Sequence, residues 1–200
     1  MTTRIEREFD FQAGVYFKEE FLMNLYTITL YMEVETESIR EQNVAMERIK
    51  YFLNECLENG IFVQDTEHKV IEKYSTCGFK VCTVPEEPYD QIITLLLLIK
   101  LNSITEGRLI ITDMTLGSRL SDDVRFICDI ESPRGPLEAP GWWTDVGTSI
   151  SDPIKKSIKK DKIVKLFKTP STDWAEHNLV WKEKDQTANC EIVFTTEQEK

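Results

Sequence analysis

Apolar and polar residues alternate with a period of two from Ile5 to Tyr16 and again from Leu25 to Glu35, most clearly where Tyr26, Ile28, Leu30, Met32 and Val34 interleave with Thr27, Thr29, Glu33 and Glu35. Successive side chains of a strand point to opposite faces, so both segments predict half-buried strands. The charged stretch Lys18, Glu19, Glu20 joins them as an antiparallel hairpin. The period changes after Thr36, Glu37 and Ser38. Ala45, Ile49, Phe52, Leu53, Cys56 and Leu57 recur at three- and four-residue spacings up to Asn59-Gly60, which predicts an amphipathic helix with a glycine stop. Residues 61–84 carry a weaker pattern, in which Phe79, Val81 and Thr83 alternate with Lys80 and Cys82 and suggest a short strand ending at Pro85. Pro88 then opens a second helix, with Glu86, Glu87 and Asp90 placed where the positive end of its dipole favours negative charge. Its body, Ile92, Ile93, Leu95 through Ile99 and Leu101, is apolar on nearly every side and predicts deep burial against a sheet or a neighbouring subunit. Two strands follow, Arg108 to Leu116 and Val124 to Ile130, separated by a Gly-Ser-Arg-Leu-Ser-Asp-Asp turn. The predicted fold class is α+β: an antiparallel β-sheet with two helices packed on one face, in the order β-β-α-(β)-α-β-β over residues 1–131, plus a C-terminal extension over residues 132–200.

That extension begins with a shift in composition. Pro133, Gly135, Pro136, Pro140 and Gly141 mark a linker or covering loop, and Trp142 and Trp143 follow at once. Two such rings more often anchor a loop onto their own domain than form an exposed platform for a partner, because burying them is strongly favourable. From Ile154 to Lys168, seven lysines face Asp161 alone. Lys155, Lys156, Lys159 and Lys160 interleave with Ile154 and Ile158, as in a basic amphipathic segment. Such a patch suits phosphate, a membrane surface or an acidic partner; the plainer reading is that it neutralises the acidic body of its own chain or of a symmetry mate. A last strand is expected from Glu191 to Thr195, before a charged tail.

Composition narrows the function classes. A 200-residue chain with 41% apolar and 30% charged residues is that of an ordinary globular protein. Its net charge of −11 opposes attraction to nucleic acid or anionic lipid. The apolar run around Leu95 to Ile99 is far short of the roughly 18 to 20 residues that span a bilayer, and the charged N-terminus lacks the apolar core of a secretory signal. We therefore expect a cytoplasmic protein. Five cysteines without a Cys-x-x-Cys pair read as reduced apolar filler, with Cys77 and Cys82 only a weak metal signal. No phosphate-binding Gly-rich loop, nucleophile elbow or His-Glu-x-x-His helix occurs. Neighbouring acidic pairs, Asp122 with Asp123 and Glu86 with Glu87, diverge on a strand or face solvent on a loop, which disfavours acid–base catalysis by either.

The segments Phe11-Gln12-Ala13-Gly14-Val15 and Asn24-Leu25-Tyr26-Thr27-Ile28 resemble the opening hairpin of the tunnelling-fold family, particularly the 6-pyruvoyl- and 6-carboxy-tetrahydropterin synthases. Those enzymes begin with a Phe-x-Ala-x-His strand and enter the second strand through His-x-His-Asn-Tyr. The downstream order is similar too: a helix after the hairpin, a Pro-x-x-Glu-like segment at Pro85-Glu86-Glu87 before the next helix, and two closing antiparallel strands, over about residues 5–131. The resemblance implies open sheets that join edge to edge into a barrel, and a zinc held by three hairpin histidines. Here those places carry Val15, Leu22 and Asn24. Valine and leucine offer a metal no lone pair, and one amide oxygen does not replace an imidazole cage. His68 and His177 are the chain's two histidines and neither has a ligand-like spacing. The family also anchors its pterin or purine with a glutamate near the last strand pair; the comparable point here is Ile111-Thr112-Asp113-Met114, so Asp113 is a weak ligand candidate against the plainer reading of a solvent-facing strand carboxylate.

Two functions compete. The preferred one is a non-catalytic, tunnelling-fold-like homo-oligomer, assembled through its sheet edges, with no metal or cofactor, acting as a structural or protein-binding module. Trp142, Trp143, Lys155, Lys156, Lys159 and Lys160 are its candidate partner contacts. The alternative is a zinc-independent enzyme or sensor with a purine- or pterin-binding pocket between subunits, in which Asp113 or Glu87 holds the ring.

Overall fold

The longest feature of the computed structural model, which describes residues 3–122, 124–152 and 173–181, is the hairpin of β1 (Thr3–Phe17) and β2 (Glu20–Val34). Its turn consists of Lys18 and Glu19, both in the left-handed region at φ 50° and 65°, the backbone that matches a two-residue turn to the twist of the flanking strands. β2 therefore starts five residues earlier than the sequence pattern indicates, because Phe21, Leu22, Met23 and Leu25 give no polar alternation there.

The remaining strands are β3 (Gly60–Gln64), β4 (Val81–Val84), β5 (Leu109–Ser118) and β6 (Arg125–Asp129). The helices are α1 (Ile39–Tyr51), α2 (His68–Thr76) and α3 (Asp90–Thr105). The sheet runs β4-β3-β1-β2-β5-β6. The protein is α+β, as its patterning predicts. The four strands β1-β2-β5-β6 are antiparallel throughout, whereas β3 joins β1 in parallel and β4 joins β3 in parallel, so the whole sheet is mixed. The third helix, α2, falls in the segment 61–84 whose pattern is weak, and the strand expected from Phe79 starts only at Val81.

Local chemistry accounts for the element ends. Ser38 caps α1, its Oγ accepting from the Glu41 N–H at 3.3 Å within a Ser-x-x-Glu sequence. The helix runs on through one π-helical segment, Phe52–Leu57, before Asn59 turns the chain at φ 59°. α3 ends where Glu106 and Gly107 both take positive φ.

One face of the sheet is covered by α1 and α3. Phe11, Tyr26, Ile28, Leu30, Ile111 and Leu116 meet Ile49, Phe52, Leu96, Leu97 and Leu101 in a single buried cluster. Leu137, Trp142, Trp143 and Trp174 belong to the same cluster, so parts of the C-terminal third share this core. A smaller cluster of Ile61, Val63, Ile71 and Val81, with Tyr16 and Tyr74 against it, seats α2 on β3 and β4. The rest of that second face, across β1, β2, β5 and β6, has no helix on it among the described residues.

Candidate functional site

The hairpin register brings the three positions of interest together. Val15 lies directly opposite Leu22, and Asn24 lies opposite Ala13, all on the helix-covered side of the sheet. Asn24 is buried; its Nδ2 donates to Ser118 Oγ at 2.6 Å and its Oδ1 accepts from the Leu120 N–H at 3.2 Å. Its amide is thus committed to the turn after β5. Nearby, Ser121 donates to the Asp90 carboxylate, and Tyr89 donates to Glu87 and packs edge-on to Phe17. The Tyr26 hydroxyl is fully buried beside the Asn24 amide, and burial holds its pKa above the ordinary phenol range. This strand end holds the Asn24 amide, the phenols of Tyr26 and Tyr89 and the carboxylates of Asp90 and Glu87, with no cluster of three potential metal ligands among the described residues.

Asp113 and Glu87 occupy different places. Asp113 is exposed on the uncovered face, opposite Tyr31 on β2 and Asp129 on β6. It lines a shallow groove with Tyr31, Thr115 and Ile127. Glu87 precedes α3 on the helix side, held by Tyr89. The two carboxylates do not share a pocket.

Trp142 and Trp143 are 2% and 6% exposed, so as a platform for a partner they are overturned: the rings are spent on the core. Trp142 Nε1 donates to the Thr83 carbonyl at 2.7 Å, and Trp143 Nε1 to the Leu137 carbonyl at 3.3 Å. Gly141 is required beside them, since a Cβ there would stand 2.5 Å from the Trp143 ring. The loop is fastened further by Lys100, whose Nζ donates to the carbonyls of Trp142 and Asp145 at 2.9 and 2.7 Å with Phe52 and Trp142 flanking it. Lys100 is fully buried, and desolvation lowers its pKa to about 8 against the pull of Asp145. Sequence patterning did not single it out, although a lone lysine inside the apolar run Leu95–Leu101 is the signal that could have.

A second fastening was equally hidden. Arg48 of α1, 3% exposed, donates to the carbonyls of Leu179 and Ile104 and to Glu106. Its guanidinium lies 3.7 Å from the centre of the Trp181 ring, which has Arg108 at 4.4 Å as well. Residues 173–181 are thereby clipped to α1 and the end of α3. Lys155, Lys156, Lys159, Lys160 and the expected strand Glu191 to Thr195 lie outside the described residues.

A cavity of about 360 Å³ between α3 and the 132–144 loop has an apolar floor of Leu95, Leu98 and Ile99. Two of its polar side chains are already used: Asn102 bridges both backbone groups of Ile111, and Ser103 donates to the Trp143 carbonyl. Besides the uncovered face, two sheet edges are open among the described residues. β6 pairs with β5 alone, and β1 meets β3 only at Ala13–Val15, so residues 3–11 have no strand on their outer side among the described residues. The opposite end of the sheet is closed, since the Thr83 N–H donates to the Ile150 carbonyl along β4.

No protein-family model matches the chain, and no curated protein does. Among solved structures, the crystal structure of an uncharacterized protein from Wolinella succinogenes aligns with a TM-score of 0.44 and 12% identity, over 66% of this chain and 99% of that one. A likeness of that degree assigns no function.

Proposed function

We propose that this chain is a non-catalytic, tunnelling-fold-like protein that self-associates through its sheet edges and serves as a structural or protein-binding module. The reading rests on one observation above the others: in an antiparallel β1-β2-β5-β6 sheet, backed on one side by α1 and α3, the outer edge of β6 and residues 3–11 of β1 have no strand partner among the described residues. Exposed edges template further strands, and proteins cap them unless they are meant to be used. Here the Thr83 N–H of β4 donates to the Ile150 carbonyl, and the other two edges have no such partner among the described residues. Val15, Leu22 and Asn24 support the non-catalytic part, since a catalytic ion in the hairpin needs imidazoles that these residues do not supply. Four described cysteines are free thiols, which accords with a reducing compartment such as the cytoplasm. No helix among the described residues is long and apolar enough to cross a membrane.

The zinc-independent pocket is favoured by the buried Tyr26 hydroxyl alone. Against it, Glu87 already accepts from the Tyr89 hydroxyl, and the Asn24 amide is bonded to Ser118 and to the Leu120 N–H. Light scattering coupled to size exclusion at micromolar concentration tests the proposal: a discrete oligomer without bound zinc is the expected result. A monomer, or stoichiometric zinc with a measurable turnover, overturns it.

A further inference from the structure

Building on that self-association, we propose that β6 of one copy pairs antiparallel with β1 of a second copy in one register, placing Arg125 opposite Glu8 and Asp129 opposite Arg4. The direction follows from the sheet. β1, β2, β5 and β6 alternate in direction, so a second copy's β1 laid beside β6 in the continuing sheet runs antiparallel to it.

The backbone fixes which residues can bond. The Ile130 N–H donates to Thr112 of β5, and pairing continues regularly through Cys128 with Met114 and Phe126 with Leu116. Alternate residues of an antiparallel strand turn their backbone groups to one neighbour. Arg125, Ile127 and Asp129 therefore turn theirs outward. On β1, Gln12 sends its carbonyl to the Asn59 N–H and its own N–H to Glu58, both on the outer side. By the same alternation Arg4, Glu6, Glu8 and Asp10 face outward. These two sets are also the residues with exposed side chains on the uncovered face, so bonding partners and side-chain faces agree.

A shift of one residue would flip every side chain to the wrong face, which leaves registers two residues apart. In the register proposed, Arg125 meets Glu8, Ile127 meets Glu6 and Asp129 meets Arg4. On the helix side, Val124 meets Phe9, Phe126 meets Arg7 and Cys128 meets Ile5. Shifted one way, Arg125 meets Asp10 but Asp129 faces Glu6, a like-charge pair. Shifted the other way, Arg125 meets Glu6, but Ile127 faces Arg4 and Asp129 falls opposite the uncharged Thr2, outside the described residues. Only the first alignment gives two opposite-charge pairs, and directly opposed charges are what favour or disfavour a cross-strand pair.

Two further facts fit a second copy as the occupant. Glu8 and Arg125 make no ion pair or side-chain hydrogen bond among the described residues, and Ile127 is 75% exposed in mid-strand. Arg4 already pairs with Glu33 at 3.0 Å and in the junction would bridge Glu33 and the second copy's Asp129. The contact is head-to-tail, which closes into a ring or runs on as a filament.

Sedimentation velocity on the full chain tests the register. Glu8→Arg and Arg125→Glu should each weaken association roughly tenfold or more, with circular dichroism unchanged, and the double variant Glu8→Arg/Arg125→Glu should restore it. Association of the wild type that ignores Glu8→Arg, or a double variant that stays dissociated, refutes this register while leaving self-association standing. A monomeric wild type refutes both.

Discussion

Lys100 brings an ammonium group into the core and holds it there with two carbonyls and two aromatic rings. Because its pKa falls to about 8 from the 10.5 of the unfolded chain, the folded protein sheds this proton first. Its contribution to stability therefore grows as pH climbs from 8 toward 10.5 and is lost as pH falls back through 8. The buried thiols act in the opposite sense. Cys56 and Cys128, both pushed up to about 12, and Cys82, raised as well, contribute fully below about pH 9 and less as pH rises through their folded values. Lys100→Met separates the two: between about pH 7 and 9.5, wild type should gain roughly 2 kcal/mol relative to this variant in urea titrations. Patterning located Lys100 on a buried helix but not its partners, which lie 42 and 45 residues away.

At the scale of elements, residues 173–181 are held chiefly through Arg48 and Tyr51 of α1. Arg48 supplies Leu179 and Ile104 with hydrogen bonds and gives Trp181 a cationic face, while Tyr51 packs against Trp174 and His177. Replacing Arg48 by Met should cost about 2 kcal/mol, since it deletes charge-assisted bonds to buried carbonyls. Limited proteolysis should then cut near residues 173–181 at several times the wild-type rate. The hairpin, α1 and α3 were legible because each has one solvent-facing or wholly apolar pattern over ten or more residues. α2 was not: in nine residues only Ile71 is buried, too few positions to establish a period. The parallel pairing of β3 and β4 was also invisible, since short apolar strands carry no directional information.

At the scale of the whole molecule, the open β6 edge should be sensitive to loss of one donor. Ile127 turns its N–H away from β5, so Ile127→Pro removes a donor that has no partner among the described residues and that the proposed junction uses, and an edge strand tolerates it. The expected result is a folded protein whose association is abolished, read by light scattering alongside an unchanged thermal midpoint within a few degrees.

The sequence by itself determined the α+β class, the burial of α3 and the absence of imidazoles from the hairpin, because these depend on residue type and local period alone. The tertiary structure decided where Trp142 and Trp143 point, which carbonyls accept from Lys100, that Asp113 and Glu87 are apart, and which sheet edges are open among the described residues. Those depend on contacts between residues distant in the chain, and a period of two or 3.6 is the same whichever neighbour a strand or helix finally meets.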